Sequence, residues 1–459
     1  MNKGLAAVIL AAGKGTRMKS ALPKVLQPIC GEPMLYYPLE ASRQAGFKQL
    51  KVVIGHGAEQ VKETFANDEL TWVEQTDQLG TGHALMCAAD SLRGYSGPLL
   101  LLCGDVPLLK PETLQQLQNY HSQQKAAVTV LTAQMPNPHG YGRVIRDGEQ
   151  VLSIVEEKDA SEEQRLVTEI NTGTYLFDTA FVLAALKGLN KNNAQGEYYL
   201  TDVVAAAVAA GKTTRALCVD DPTEVMGIND RCQLAEAEVL MRWKINADLM
   251  LGGVSMVDPT TVYIDNGVEL GIDTLIHPNT HLHGKTSIGK NCIIETGVVV
   301  VDSQIADGVH LKAGSVIEES QVGSACKIGP MAHLRPGTVL TGNNKIGNFV
   351  ETKKAILGEG SQASHLTYIG DSEVGKNVNF GCGTITCNYD GVNKHKTIVE
   401  DDVFVGSDTQ FVAPVTIGRN SLIAAGSTIT KDVPPDSLAL SRVDQKVIDG
   451  WRLRKQKKS

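Results

Sequence analysis

Residues 264–300 read IDNGVELGIDTLIHPNTHLHGKTSIGKNCIIETGVVV, and in this stretch an aliphatic residue returns at every sixth position. After one step of five, the pattern resumes over residues 305–346, and it returns over residues 405–429. Neither the 3.6-residue period of an amphipathic helix nor the two-residue period of an ordinary strand fits this spacing. A hexapeptide period is typical of a parallel β-helix, in which each thin coil buries its core by stacking on its neighbours.

Three six-residue sides predict about 18 residues per coil, so that residues 264–430 form roughly nine coils. The register breaks at 352–356 and 382–400. We expect both breaks to project as loops, and loops on a rigid solenoid are where binding residues tend to lie.

The first half of the chain, up to about residue 229, follows a different pattern. Short apolar runs alternate with longer amphipathic stretches, and the strand candidates are 5–10, 50–55, 98–105, 127–133 and 172–177. Continuous apolar strands separated by helices indicate a mostly parallel sheet that is covered on both faces. Ligands of such sheets bind beyond the carboxyl ends of the strands.

Residues 230–250 contain no glycine or proline and are rich in helix formers, which predicts a connecting helix. We therefore expect three segments. They are an α/β domain over residues 1–229, a linker helix over 230–252, and a β-helix domain with a C-terminal tail over 253–459.

Composition restricts the class of protein. The net charge of −8 argues against a general binder of nucleic acid or of membrane surfaces, and the basic tail WRLRKQKKS is interpreted as a solvated helix end. Nine scattered cysteines without a C-x-x-C pair favour reduced thiols and a cytoplasmic location. The first apolar run is too short for a signal peptide, and no run approaches the ~20 residues that span a bilayer.

Residues 10–24, LAAGKGTRMKSALPK, combine glycine and basic residues directly after the first apolar run. The stretch is not a G-x-x-x-x-G-K-S/T loop, because Thr16 and Arg17 follow Gly15. It is not a G-x-G-x-x-G loop either, because Met18 occupies the third glycine position. The remaining string, with Pro23–Lys24, resembles the signature of nucleotide-sugar pyrophosphorylases.

Together with the hexapeptide repeats, the chain resembles the bacterial GlmU family of bifunctional enzymes from about residue 4 to residue 445. The resemblance implies a Rossmann-like mixed sheet in an N-terminal nucleotidyltransferase domain and a left-handed β-helix in a C-terminal N-acetyltransferase domain. It implies acetyl transfer from acetyl-CoA to glucosamine-1-phosphate, then Mg²⁺-dependent uridylyl transfer from UTP with release of pyrophosphate. The product, UDP-N-acetylglucosamine, feeds peptidoglycan and lipopolysaccharide synthesis, and the expected assembly is a homotrimer.

The first site would bind a nucleoside triphosphate. Glycine at Gly13 leaves room for backbone N–H groups to approach phosphate, and Arg17 and Lys24 supply positive charge. The resemblance implies Asp105 and Asn229 as metal ligands, and their oxygens suit Mg²⁺. The nucleotide and sugar contacts that the resemblance implies are Leu10, Ala11, Ala12, Gly13, Lys24, Gln75, Gly80, Thr81, Gly142, Glu156, Asn171 and Asn229. The displacement would be direct and in line, without a protein nucleophile.

The second site would lie on the β-helix. His365 resembles the acetyltransferase general base, for which an imidazole pKa near 6.5 is suitable, and Glu351 resembles the acid that orients it. The implied sugar-phosphate contacts are Arg335, Lys353, Tyr368, Asn379 and Lys394. The implied acetyl-CoA contacts are Cys382, Asn388, Tyr389, Ser407, Ala425 and Arg442. At Cys382 many relatives carry alanine, and Lys394 and Arg442 are expected to serve a neighbouring chain.

Several alternatives remain open at this point. The chain could be a monofunctional sugar-1-phosphate nucleotidyltransferase with a structural β-helix, or a sugar-nucleotide sensor without turnover. Glu157 is adjacent to Glu156, and only the family register selects Glu156. The H-x₃-H-x-H pattern that ends at His283 is interpreted as surface residues on ordinary coils.

Overall fold

The computed structural model describes residues 4–456, and the chain divides into two compact units between Met241 and Arg242. The strands of the first unit are β1 Leu5–Ala11, β2 Pro28–Ile29, β3 Glu32–Pro33, β4 Phe47–Ile54, β5 Thr71–Glu74, β6 Pro98–Cys103, β7 Val128–Gln134, β8 Arg143–Asp147, β9 Gln150–Val155, β10 Glu169–Asp178 and β11 Thr214–Cys218. The α-helices of the chain are α1 Tyr36–Gln44, α2 Ala58–Thr64, α3 Thr81–Ala88, α4 Pro111–Gln124, α5 Glu162–Arg165, α6 Thr179–Ala185, α7 Asp202–Ala209, α8 Arg231–Leu251 and α9 Trp451–Gln456.

The first unit is built on a mixed sheet with the strand order β11-β7-β10-β6-β1-β4-β5. Only β10 runs antiparallel within this order, and the β8–β9 hairpin pairs with it. Strand β6 is almost continuously buried because apolar cores lie on both sides of the sheet. One core includes Leu39 of α1 and Leu114 of α4, and the other includes Leu85 of α3 and Val203 of α7. The predicted α/β class is confirmed.

The carboxyl ends of β1, β4 and β6 meet at one edge of this sheet, because β1 pairs in parallel with both of the other strands. The loops that follow them carry the glycine-rich stretch, Gly55 and Asp105. Tertiary pairing therefore brings three segments that are far apart in the sequence to one edge.

The second unit is a stack of short parallel strands. One face consists of Ser255–Met256, Leu275–Ile276, Ile293–Ile294, His310–Leu311, Lys327–Ile328, Lys345–Asn348, Gln362–His365, Asn379–Phe380, Phe404–Val405, Leu422–Ile423 and Leu438–Ala439. The other two faces consist of Tyr263–Ile264, Glu269–Leu270, His281–His283, Ser287–Ile288, Val299–Val301, Gln304–Ile305, Val316–Glu318, Gln321–Val322, His333–Leu334, Val339–Leu340, Glu351–Leu357, Tyr368–Val374, Ile385–Cys387, Thr397–Val399, Gln410–Val412, Val415–Ile417 and Thr428–Ile429.

Most coils hold 17 or 18 residues: Leu275 pairs with Ile293, and Ile293 pairs with His310. The recurring aliphatic side chains point inward and form one continuous core. The arrangement is consistent with the left-handed parallel β-helix that the sequence resemblance implies.

The corners of the prism explain how the spacing varies. In most steps of six residues, the residue three places after the first aliphatic position takes a left-handed conformation, as Asn279 does (φ 57°). Where five residues separate two aliphatic positions, the left-handed residue follows after two places, as Asp302 does (φ 47°). Asn and Asp tolerate this conformation better than most residues.

The expectation of a projecting loop at 352–356 was wrong. Glu351–Leu357 is a single strand that pairs with coils on both sides. The coil is one residue short there, and Lys354 (φ 44°) turns the chain without a loop. The other break does lengthen a coil, since Asn379 pairs with Phe404, and its extra residues lie between Ile385–Cys387 and Thr397–Val399.

Helix α8 begins in the first unit and ends in the second. Among residues 4–456, no helix is both long enough and apolar enough to cross a membrane.

Candidate active sites

The first candidate site lies at the edge where β1 and β6 end. The Lys24 ammonium donates hydrogen bonds to the Asp105 carboxylate and, at 2.8 Å, to Asn229 Oδ1. Only 10% of the Lys24 side chain is exposed. The Ile228 backbone N–H donates to the Asp105 carbonyl at 3.0 Å, which holds the segment before α8 against the end of β6.

The oxygens of Asp105 and Asn229 converge on a single cation, the ammonium of Lys24. A carboxylate and an amide oxygen are the hard ligands that Mg²⁺ takes in proteins, so this donor set fits the expected ion. In the part of the chain that the structure describes, no group of three or more His, Cys, Asp or Glu side chains is placed to hold a metal. Further ligands would therefore come from water and substrate phosphate.

The glycine-rich loop folds back against Lys24. Gly15 adopts φ 58°, and a Cβ at this position would lie 2.6 Å from Lys24 Cβ, so the approach requires glycine. A short 3-10 helix, Thr16–Met18, follows; Met18 is buried and anchors it, while Arg17 is exposed. A Cβ at Gly13 would meet no atom within 4 Å, which leaves its backbone open to a ligand.

A cleft of about 260 Å³ opens beside this loop. The predicted residues that line it are Leu10, Ala11, Ala12, Gly13, Lys24, Gln75, Gly80, Thr81 and Asp105. Val25, Gln78, Ala84, Cys103 and Glu197 also line it, and the sequence analysis did not identify them. Gln78 and Glu197 have the polar character of ligand contacts, but the sequence analysis assigned neither of them a role.

Gln75 is held in one orientation. It is 3% exposed, and its Nε2 donates to the Gly80 carbonyl at 3.2 Å and lies 3.0 Å from His83 Nδ1. Gly80 has φ 103°, and a Cβ there would lie 2.7 Å from the Tyr198 carbonyl oxygen. The start of α3 can therefore approach this part of the cleft only with glycine at position 80.

Three further predicted residues form a second group. The Asn171 N–H donates to the Gly142 carbonyl at 2.8 Å, and a Cβ at Gly142 would lie 3.6 Å from Glu156 Oε2. Burial raises the pKa of Glu156, against a hydrogen bond from Thr201 that lowers it. The Glu157 carboxylate is bound instead to Arg143 at 2.7 Å. The two adjacent glutamates therefore have different surroundings, a distinction that the sequence did not supply.

On the β-helix, four predicted residues form a column along one corner. Gln362, Asn379, Phe404 and Leu422 are paired in register from coil to coil. The residue three places after each of them is, in order, His365, Cys382, Ser407 and Ala425. Successive coils are about 4.8 Å apart, so the predicted base and three acetyl-CoA contacts follow one another along the prism. Arg442 joins this column by donating to the Ala425 carbonyl at 2.8 Å.

A cationic cluster lies on the face that follows this corner, largely on the coils that precede His365. Arg335 Nη1 is 2.6 Å from Glu351 Oε1, and Glu351 pairs in register with Tyr368. Lys394 holds the pKa of the Lys353 ammonium below its ordinary value, and the charge of Arg335 adds to the effect. Such a group of cations attracts a phosphate dianion.

The remaining predicted residues lie nearby. Asn379 begins the strand that precedes Cys382, and Asn388 and Tyr389 lie on the inserted loop, where the Asn388 amide donates to Asp371. Tyr389 and Lys394 form an isolated antiparallel bridge across that loop. Between residues 4 and 456, no hydrogen bond joins Glu351 to His365, whose side chain is exposed. The orienting role of Glu351 stays a prediction.

The structure thus describes a transferase with a nucleotide-binding α/β unit and a hexapeptide β-helix. Residues 7–169 match the MobA-like NTP transferase domain, residues 259–346 match the GMPPB C-terminal domain, and residues 396–431 match the bacterial transferase hexapeptide repeats.

Similar proteins are known from several bacteria under the name bifunctional protein GlmU. The protein from Syntrophotalea carbinolica is 63% identical over 98% of this chain and 97% of its own length. Those from Pelobacter propionicus and Shouchella clausii are 57% and 48% identical, and each alignment covers at least 96% of both chains. The chain belongs to the GlmU family of bifunctional proteins.

Proposed function

We propose that the protein makes UDP-N-acetylglucosamine in two steps, acetyl transfer on the β-helix and uridylyl transfer on the α/β unit. The family name supports two activities on one chain. The observation that carries the proposal is the column of His365, Cys382, Ser407 and Ala425 beside the cationic cluster. A purely structural β-helix does not require an exposed histidine beside a group of cations, so this column argues against the monofunctional alternative.

In the acetyl-transfer step, the amine of glucosamine-1-phosphate attacks the thioester carbonyl of acetyl-CoA, and CoA leaves as the thiol. His365 accepts the proton that the attacking nitrogen loses. Arg335, Lys353 and Lys394 bind the sugar phosphate, and their mutual repulsion without ligand favours binding of a dianion. Tyr368 and Asn379 contact the sugar, while Asn388, Tyr389 and Arg442 join the column residues in binding acetyl-CoA.

In the uridylyl-transfer step, a phosphate oxygen of N-acetylglucosamine-1-phosphate attacks the α-phosphorus of UTP in line, and pyrophosphate leaves. Lys24 and Arg17 neutralise the charge on the triphosphate and on the leaving group. The open backbone at Gly13 binds phosphate, Gln75, Gly80 and Thr81 hold the base, and Gly142, Glu156 and Asn171 hold the sugar. Asp105 and Asn229 would hold Mg²⁺, which when bound supplies further positive charge to the phosphates.

We propose that the functional domains are residues 1–229 and 253–459, joined by a linker over 230–252, and that the enzyme works in the cytoplasm as a homotrimer. Three exposed apolar residues support the assembly. Met331, Phe349 and Leu366 occupy equivalent positions on successive coils, and they are 54%, 61% and 59% exposed. All three have left-handed backbone conformations that cost free energy, and burial against another subunit would offset that cost. Lys394 and Arg442 lie beside sites of their own chain and would complete sites shared with a neighbour.

The test is to incubate the protein with defined sets of substrates and to follow free thiol and pyrophosphate separately. Glucosamine-1-phosphate with acetyl-CoA should release thiol alone, and N-acetylglucosamine-1-phosphate with UTP and Mg²⁺ should release pyrophosphate alone. Thiol release should be lost in His365→Ala while pyrophosphate release persists. Pyrophosphate without thiol in the wild type would establish the monofunctional alternative, and UDP-sugar binding without either product would establish a sensor.

A further inference from the structure

Arg143, at the start of β8, is a buried cation that the proposed reaction does not use. Its side chain is 2% exposed. The guanidinium donates from Nη1 to the Tyr141 carbonyl and from Nη2 to Glu157 at 2.7 Å. Its Nε is buried and has no hydrogen-bond partner among the residues that the structure describes. A buried arginine with an unmet hydrogen-bond donor lowers the stability of the fold, which indicates a role for Arg143 other than stabilisation.

The two partners of Arg143 hold one loop, residues 138–142. The Gly140 N–H donates to Glu157 Oε2 at 3.3 Å, and the Tyr141 N–H donates to the Pro138 carbonyl at 3.2 Å. Arg143 therefore binds the loop directly at the Tyr141 carbonyl and indirectly, through Glu157, at the Gly140 N–H. The loop has no other regular secondary structure to fix its position.

The C-terminal end of this loop belongs to the nucleotidyl-transfer site. Gly142 is the residue whose carbonyl accepts from Asn171. The Tyr141 side chain packs against the core on one side of the sheet, which includes Val106, the residue after Asp105. The loop thus ends at the predicted sugar contacts Asn171 and Glu156.

We propose that Arg143 and Glu157 form a clamp that positions the loop 138–142 to bind the acceptor sugar phosphate in the uridylyl-transfer step. Arg143 is a positioning residue: it is buried behind the loop and acts through Tyr141 and Gly142. This inference rests on the proposed function. Because the clamp holds the sugar side of the site, its loss should weaken binding of N-acetylglucosamine-1-phosphate and leave binding of UTP little changed.

The experiment measures pyrophosphate release with each substrate varied in turn, in the full-length protein. For Glu157→Ala and Arg143→Gln, we expect the KM for N-acetylglucosamine-1-phosphate to rise about tenfold or more, and the KM for UTP to stay within about twofold. Glu157→Gln should restore most of the wild-type KM, because its amide oxygen can still accept from Gly140 and Arg143. If Arg143→Gln does not fold, the Glu157 pair of variants decides the question.

Arg146 offers a matched control on the same strand. It also pairs with a glutamate, Glu169 Oε1 at 2.5 Å, and its Nε is likewise buried without a partner in the described chain. Glu169, however, accepts from Thr132 on β7 rather than from the loop. Arg146→Gln should therefore lower thermal stability, but it should not raise the KM for N-acetylglucosamine-1-phosphate relative to the KM for UTP.

Three outcomes would overturn the inference: equal changes in both KM values, the same change in Arg146→Gln, or no rescue by Glu157→Gln. Failure of the proposed function is a separate result. In that case the wild type itself would release no pyrophosphate with either sugar phosphate and UTP.

Discussion

Lys24, Asp105 and Asn229 show how single side chains define the first site. They come from three distant segments and meet through hydrogen bonds from one ammonium group. A lysine that is largely shielded from water interacts with phosphate more strongly than an exposed one, since the local dielectric is lower. The chemistry of this site therefore depends on a few atoms that no single stretch of sequence brings together.

Asp105→Ala should lower the rate of pyrophosphate release by about a hundredfold or more, since it removes the carboxylate beside Lys24. Thiol release from acetyl-CoA should stay at the wild-type rate. The two products are measured in parallel on the same preparation, with Asp147→Ala, an exposed aspartate at the end of β8, as the control. Loss of thiol release in Asp105→Ala would contradict the independence of the two sites.

Glu156→Gln should stabilise the protein at pH 8 while it reduces pyrophosphate release. Burial raises the pKa of the Glu156 carboxyl above its ordinary value of 4.5. A carboxyl whose pKa is raised by folding contributes to stability at pH values below its pKa in the unfolded chain. It loses that contribution as the pH rises through its pKa in the folded protein. The amide avoids this loss, so the difference in Tm between variant and wild type should be positive at pH 8 and vanish near about pH 4. Glu157→Gln, which weakens an ion pair, should show no such gain at pH 8.

At the scale of elements, the inserted loop of the β-helix is the segment that departs from the repeat. Asp390 organises it: its Oδ1 accepts from the backbone of Val392 and Asn393 at 2.8 and 2.6 Å, and its Oδ2 lies 2.7 Å from His395 Nε2. These bonds hold the pKa of Asp390 down to about 2, with the backbone bond from Asn393 the largest cause. The carboxylate therefore stays ionised throughout the neutral range.

Asp390→Ala should release this loop and raise the KM for glucosamine-1-phosphate, because Lys394 would no longer be held beside Lys353. We expect a rise of about threefold to tenfold, with pyrophosphate release unchanged. Asp390→Asn keeps an acceptor for the two backbone N–H groups and should show a smaller effect. Hydrogen exchange of residues 388–396 provides the second measurement, and unchanged exchange in Asp390→Ala would refute the explanation.

At the scale of the whole molecule, the chain carries two compact units with separate cores and separate sites. The β-helix buries its aliphatic residues coil by coil, so its corners are free to carry polar or apolar side chains without loss of the core. The exposed column of Met331, Phe349 and Leu366 uses this freedom.

Phe349→Asp should disrupt the proposed trimer, since it places a charge in the middle of that column. Light scattering should then give a molar mass near 49.2 kDa in place of about three times that value. Thiol release should fall and pyrophosphate release should persist. Ile293→Asp, at an exposed apolar position of another column, is the control, and a wild-type protein that is already monomeric would refute the assembly.

Much of the fold could be predicted from local pattern alone. The six-residue period identified the β-helix because each coil repeats the same inward positions, and alternating strands and helices identified the α/β unit. Sequence could not separate an insertion from a deletion at 352–356, because both break the period in the same way. It also could not detect Gln78, Glu197 or the Arg143 clamp, since their roles depend on contacts with residues that are distant in the sequence.

The sequence by itself determined the two fold classes, the phosphate-binding loop and the residues that resemble those of the family. These features depend on periodicity and on short strings, which are local properties of the chain. The tertiary structure alone decided that Glu156 and Glu157 have different partners. It also decided that Lys24 lies between Asp105 and Asn229, and that His365 is the first residue of a column along one corner of the β-helix. The coils from His365 to Ala425 differ in length, so the spacing along the sequence does not show that their corners align. Their alignment is set by the hydrogen-bonded register between strands.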